Sequence, residues 1–224
     1  GLICALGKDP AADFLMTQWQ LMQLEQVFQM KANQTASACV ILKPNGERTV
    51  VNSEATPKKT KKIKLEGAAP KYILCDGRLQ KETMKFIEAC KQLGSKVILD
   101  AGSINEGTLN LLPLSDYLIS SQKFALSYTN LNDSRAALRI LSQNAQHATI
   151  TLGSEGTIAQ DQESFEAFSA HSIEVINTNN AGDVFHGAFC HALIEEAHFF
   201  EAIEYANEIA AHHCSHKNII ASLK

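Results

Sequence analysis

Residues 177–189 read Asn-Thr-Asn-Asn-Ala-Gly-Asp-Val-Phe-His-Gly-Ala-Phe, a polar turn that runs into a helix. The first amides of a helix have no intrahelical partner, and together with the helix dipole they favour an anion such as a phosphate. The amides of Asn180, Ala181, Gly182 and Asp183 are placed to do this, and Gly182 allows close backbone approach. Asp183 falls in the same first turn. There its carboxylate can take the proton of a hydroxyl while the amides hold the group in transfer. A positioned general base is worth about 10²–10⁴-fold in rate. Positioning and charge stabilisation supply the rest of the acceleration in phosphoryl transfer. These residue types at this spacing point to phosphoryl transfer onto an alcohol.

Such a segment must be carried to the rim of a cleft. Short apolar runs at 72–75, 97–99, 117–119 and 148–152 alternate with helical stretches at about 80–93, 106–112 and 134–143. Alternation of this kind predicts a parallel sheet covered by helices, with ligands beyond the carboxyl ends of the strands. Asp76, Asp100, Ser120, Ser121 and Gly153 all fall at strand ends and are expected along one edge. Residues 157–169 read as a hairpin or loop, and 181–196 and 199–214 as two helices. Near the start, residues 2–6 read as a strand, and Asp9 caps a helix that opens at Pro10 and runs to about residue 24. Residues 35–52 hold two β-branched runs around Pro44-Asn45-Gly46, a β-hairpin pattern. The hairpin stands outside the βα alternation. It is therefore expected to form a small β lid, residues 35–65, on an α/β core made of 1–34 and 66–224.

The segment from Asn177 to Ala188 resembles the signature of the ribokinase-like (PfkB) carbohydrate kinase family, D-T-x-G-A-G-D-x-F-x-G-A. The matching residues are Thr178, Ala181, Gly182, Asp183, Phe185, Gly187 and Ala188. The resemblance implies a Rossmann-like parallel sheet flanked by helices, Asp183 as catalytic base, and Asn180, Ala181 and Gly182 as the anion hole. Thr151-Leu152-Gly153-Ser154-Glu155-Gly156 resembles the family's T-x-G-x-x-G loop, which implies that Thr151, Gly153 and Gly156 approach ATP. Asn207 stands in a segment similar to the adenine side. Leu6-Gly7-Lys8-Asp9 resembles V-G-x-D-x-x-G, and Gly46-Glu47-Arg48-Thr49 the end of the lid hairpin. Asp9 and Arg48 thereby join Asp76 and Asp100 as substrate-side candidates. The family uses ATP with magnesium on a small sugar, and its lids often pair into a homodimer.

This chain departs from the pattern at four positions. Asn177 replaces the usual Asp, which weakens a monovalent-cation site. Asn180 replaces Gly, and Asn tolerates positive φ better than most residues. Ser121 and Phe124 stand where many members carry N-x-x-E for magnesium, leaving the ion to nucleotide phosphates and waters.

Composition narrows the partners. The 224 residues carry a net charge of −4, with 45% hydrophobic and 20% charged residues. The sequence pI of about 6.1 lacks the basic footprint of a nucleic-acid binder. The lysines at 58, 59, 61, 62 and 64 read as a solvated loop or edge strand. No apolar run approaches the roughly 20 residues of a membrane span. The six cysteines contain no C-x-x-C pair and read as reduced, mostly buried thiols in a cytoplasmic setting. His186, His191, His198, His212, His213 and His216 read as exposed helix histidines rather than a metal site, which needs three or four converging ligands. Phe185 and Phe189 read as core, and Trp19 as packing.

Family members also carry an earlier strand ending in a substrate-binding Asp, then a Gly-Gly segment with an Asn. The resemblance implies that at least one βαβ unit, roughly 30 residues or more, lies outside this sequence. Three readings stay open at this point: a sugar kinase, a non-catalytic nucleotide- or sugar-binding remnant of a kinase, and a kinase for a nucleoside or vitamin alcohol.

Overall fold

The short apolar runs become strands, and because successive side chains of a strand face opposite ways, each run serves two helical layers at once. The structure, a computed structural model, describes residues 1–24, 27–42, 48–57, 63, 67–78, 81–162 and 164–216. The chain divides into two compact units, Gly1–Lys64 and Leu65–Lys224.

In the first unit, β1 (Leu2–Leu6) leads into α1 (Pro10–Leu21). Asp9 caps this helix as expected: Oδ1 accepts from the Ala12 amide at 3.0 Å and Oδ2 from the Thr35 amide at 2.8 Å. Those bonds, the Thr35 side chain first, hold the Asp9 carboxyl below its ordinary range. A strand not foreseen, β2 (Val27–Lys31), pairs parallel with β1. The expected hairpin forms from β3 (Ser37–Leu42) and β4 (Arg48–Ser53), in antiparallel register from Ser37–Ser53 to Leu42–Arg48. It leaves Val40, Ile41, Val50 and Val51 exposed. Its turn at 44–46 and the five lysines lie outside the described residues.

The second unit contains β5 (Tyr72–Cys75), α2 (Lys81–Gln92), β6 (Lys96–Ala101), α3 (Glu106–Leu111), β7 (Tyr117–Ser121), α4 (Gln122–Thr129), α5 (Ser134–Leu141) and β8 (His147–Thr151). After these come β9 (Thr157–Asp161), β10 (Ser164–Phe168), α6 (Ala181–Ile194) and α7 (Phe199–Cys214). The sheet order is β10-β9-β8-β7-β6-β5. β5 to β8 are mutually parallel, and β9 and β10 extend the sheet antiparallel. Val97, Leu99 and Ala101 of β6 join Ile87, Phe124, Leu138 and Leu141 in one core. Ile98 faces the other way, into a core with Phe185, Phe189, Phe199 and Ile203 of α6 and α7. Asp100, two residues beyond Ile98, therefore shares the side of the sheet that α6 covers. Each such fully buried large side chain contributes roughly 1.5–3 kcal/mol.

The amino ends of the strands are closed by aromatic rings. Tyr117 stacks on His147 with centroids 4.5 Å apart, and Phe199 lies 4.7 Å from His147 on a tilt. His147 Nδ1 is 3.2 Å from Asp161 Oδ1. Burial pushes the His147 imidazole below its ordinary range, outweighing the upward pull of Asp161. Asp116, just before β7, accepts from Lys91 Nζ at 2.6 Å, Lys96 Nζ at 3.2 Å and the Val97 amide at 2.9 Å. All six cysteines are free, but only Cys75 and Cys90 are buried and Cys39 is exposed, so the sequence overstated their burial. Burial, with Asp76 and Cys190 adding to it, pushes the Cys75 thiol up to about 12. Among the described residues no helix is long and apolar enough to cross a membrane.

Candidate active site at the carboxyl edge of the sheet

The parallel register of β5 to β8 brings the predicted strand-end residues of this unit to one edge. Asp76 follows β5, is exposed, and accepts from the Arg78 amide at 3.0 Å. Asp100 lies inside β6, one residue before its end. Burial raises the pKa of its carboxyl; His186 opposes this, while Asp183 and Asp76 add to it. His186 Nε2 stands 3.5 Å from Asp100 Oδ1. That contact sets the amino-terminal half of α6 beside the carboxyl end of β6.

The start of α6 has an unusual form. Asn180 is its N-cap with φ 61° and ψ 15°, in the left-handed region, and its side chain makes no capping bond. Asn is among the few non-glycine residues that enter this region readily, which explains how it stands in for Gly. The first helical bond runs from the Val184 amide to the Asn180 carbonyl at 2.9 Å, and the Ala181 amide reaches the Thr178 carbonyl at 3.4 Å. A Cβ added at Gly182 would meet nothing within 4 Å, and Asp183 is exposed. A carboxylate and a helix start without a side-chain cap thus stand together in an exposed turn.

The loop after β8 has the backbone its glycines imply. Gly153 has φ 62° and Gly156 φ 92°. The Leu152 amide bonds the Gly156 carbonyl at 2.8 Å, and Thr151 Oγ1 donates to the Ser120 carbonyl at 3.3 Å. At Gly156 a side chain would collide with the Phe168 carbonyl, whereas space around Gly153 is open. Asn207 of α7 accepts from Thr157 Oγ1 at 2.7 Å, tying the helix to β9. Its Nδ2 is buried without a hydrogen-bond partner among the described residues.

Two expected metal elements have other uses here. Ser121 caps α4, accepting from the Phe124 amide at 3.0 Å and donating to the Gly102 carbonyl at 3.2 Å. Phe124 is buried and stacked on Tyr128 at 5.6 Å, so this stretch offers no carboxylate to magnesium. Asn177 Oδ1 accepts from the Asn179 amide at 2.9 Å, and the Asn179 carbonyl lies 2.7 Å from His213 Nε2. The Asn177 amide oxygen and the Asn179 carbonyl each already meet a nitrogen, and Asn177 brings no carboxylate charge to a monovalent cation. Among the described residues no group of three or more His, Cys, Asp or Glu is arranged to hold a metal ion. Asp9 and Arg48 belong to the first unit, and the Arg48 side chain lies outside the described residues.

Two histidines depart from expectation. His186 and His213 are buried, at 7% and 1% exposure, not exposed on their helices. The signal was present in the sequence. His186 precedes Phe189 and Leu193 by three and seven residues, and His213 follows Ala206 by seven, so both fall on apolar stripes.

The fold and this edge define a ribokinase-like α/β kinase architecture. The model of the pfkB family of carbohydrate kinases matches residues 1–224. The ribokinase of Lactococcus lactis subsp. lactis (strain IL1403) is 24% identical over 221 residues, spanning 96% of this chain and 72% of that protein. Ribokinase from Thermotoga maritima superposes with a TM-score of 0.81 at 20% identity, covering 98% of this chain and 76% of that one. Ribokinase from Arabidopsis thaliana, complexed with ribose and ATP, gives 0.82 at 21% identity, covering 98% and 77%. The chain belongs to the pfkB family of carbohydrate kinases.

Proposed function

We propose that this chain transfers the γ-phosphoryl group of ATP to a hydroxyl of a small sugar, with Asp183 as general base. The observation that carries the reading is the exposed Asp183 carboxylate beside an uncapped helix start, with open space at Gly182. The sugar hydroxyl oxygen attacks the γ-phosphorus, its proton passes to Asp183, and the bond to the bridging oxygen of ADP breaks. Amides at Asn180, Ala181 and Gly182 stabilise the charge that develops on the phosphoryl oxygens. Thr151, Gly153 and Gly156 lie along the nucleotide, with Asn207 on the adenine side. Asp76 and Asp100 face the acceptor; the family resemblance adds Asp9 and Arg48 as substrate-side candidates. Magnesium, where it accompanies the nucleotide, would be held by the phosphates and by waters and would neutralise part of their charge. A homodimer through the β3–β4 hairpin agrees with its four exposed valine and isoleucine side chains.

The test is Asp183→Asn. Turnover should fall by about 10²–10⁴-fold while ATP affinity stays within a few-fold. Undiminished turnover would remove Asp183 from this role. A second reading, binding of nucleotide or sugar without turnover, draws support from the burial of Phe124 where the family often has a carboxylate. A phosphorylation screen over sugars, nucleosides and vitamin alcohols separates it from a kinase of any of these acceptors.

A further inference from the structure

Two main-chain carbonyls bracket the proposed anion hole, and each is met by a buried imidazole. His213, in the last turn of α7, places Nε2 2.7 Å from the Asn179 carbonyl. His186, in α6 itself, places Nδ1 2.7 Å from the Gly182 carbonyl. A carbonyl accepts, so the facing nitrogen must carry the proton: Nε2 in His213 and Nδ1 in His186. The end of α7 adds two further ties, its Cys214 carbonyl accepting from the Ile176 amide at 2.8 Å and the Asn177 amide at 3.0 Å. Between the bracketed carbonyls lies Asn180, left-handed and giving α6 no side-chain cap. The other nitrogen of His186 faces Asp100 at 3.5 Å.

We propose that His213 and His186 are positioning residues, a pair of imidazole clamps that fix the 179–182 backbone so that its amides aim at the transferring phosphoryl group. The inference rests on the kinase reading for its kinetic consequence, but the clamp itself is a property of the free protein. His213 bonds through the distal ring nitrogen, which the amide of Gln can imitate. His186 bonds through the proximal nitrogen, which the amide of Asn can imitate. Met and Leu have the same shapes without the donor.

The experiment compares His213→Gln with His213→Met and His186→Asn with His186→Leu in the whole chain. Steady-state kinetics and amide hydrogen exchange at residues 180–183 are both read. The Met and Leu variants should lose about 10- to 100-fold in kcat with ATP KM changed by less than about threefold, because misplacing a catalytic element by about 1 Å is enough for that. Their 180–183 amides should exchange faster. The Gln and Asn variants should stay near wild type in both readouts. If the Met or Leu chains do not fold, the crossed pair His213→Asn and His186→Gln decides, since each keeps a polar amide at the wrong reach and should behave as a loss. Equal effects for donor and non-donor replacements overturn the clamp. If wild type turns over no acceptor but the exchange pattern is as expected, the clamp stands and the kinase reading falls. If Asp183→Asn abolishes turnover while all clamp variants match wild type, the kinase reading stands and the clamp falls.

Discussion

The two ends of the six-stranded sheet each set a histidine beside an aspartate. At the amino end His147 meets Asp161 at 3.2 Å and is held between Tyr117 and Phe199. At the carboxyl end His186 meets Asp100 at 3.5 Å, and its remaining nitrogen holds a main-chain carbonyl at the start of α6. The first pair is stacked among aromatic rings, with Asp161 still partly open to solvent, and serves packing. The second sits among Asp76, Asp100 and Asp183, carboxylates whose fields add on a half-buried group. Concentrating like charge there works against the folded state, and such arrangements are usual where chemistry is carried out. One end of the sheet therefore stabilises, and the other spends stability on the candidate site.

That contrast can be broken most forcefully at Phe199. Phe199→Ala should lower unfolding free energy by about 3–5 kcal/mol, measured by denaturant titration, because it empties the aromatic seal. Turnover per folded molecule should hardly change. A variant that stayed as stable as wild type would show that the amino end is not the structural one. The opposite outcome is expected at Asp100→Asn. The raised pKa means that the folded state holds its proton more tightly than the unfolded chain. Wild-type stability is therefore lost as pH rises from the unfolded value, about 3.9, through the raised folded value. Asn carries no such penalty, so the variant should melt at or above the wild-type temperature at pH 7 while kcat falls. A lower melting temperature with intact kcat would reverse the assignment of the two ends. The smallest effect belongs to His147. Its lowered pKa means that the unfolded chain takes up a proton first as pH drops below about 6.5. Stability should decline from there toward the lower folded value. His147→Asn should flatten the melting temperature between pH 7 and pH 5.

How much of this was legible from residues alone follows from where the information lies. The βα alternation, the α6 start and the glycine loop after β8 are local patterns, and the structure has them where the sequence placed them. α4 was missed because Ser121 is both the last residue of β7 and the helix cap, so no turn residue separates the elements. β2 was missed because Val27, Phe28 and Met30 lie against the end of a helical stretch without a breaker between. The two clamp histidines were read as surface residues, although each falls on an apolar stripe. What a stripe cannot reveal is the partner. The Asn179 carbonyl lies 34 positions before His213, and only the packed fold brings them together.

Each of α1, α3, α4 and α5 is finished at its amino end by its own aspartate, asparagine or serine side chain, and α7 by a capping box. α6 takes no such bond from its cap residue. An anion seated at Ala181–Asp183 would then be a structural member of that helix as well as a reactant. Binding would lend order to the segment proposed to do the chemistry, and departure of a phosphorylated product would withdraw it. The state of the ligand and the firmness of the helix become one variable.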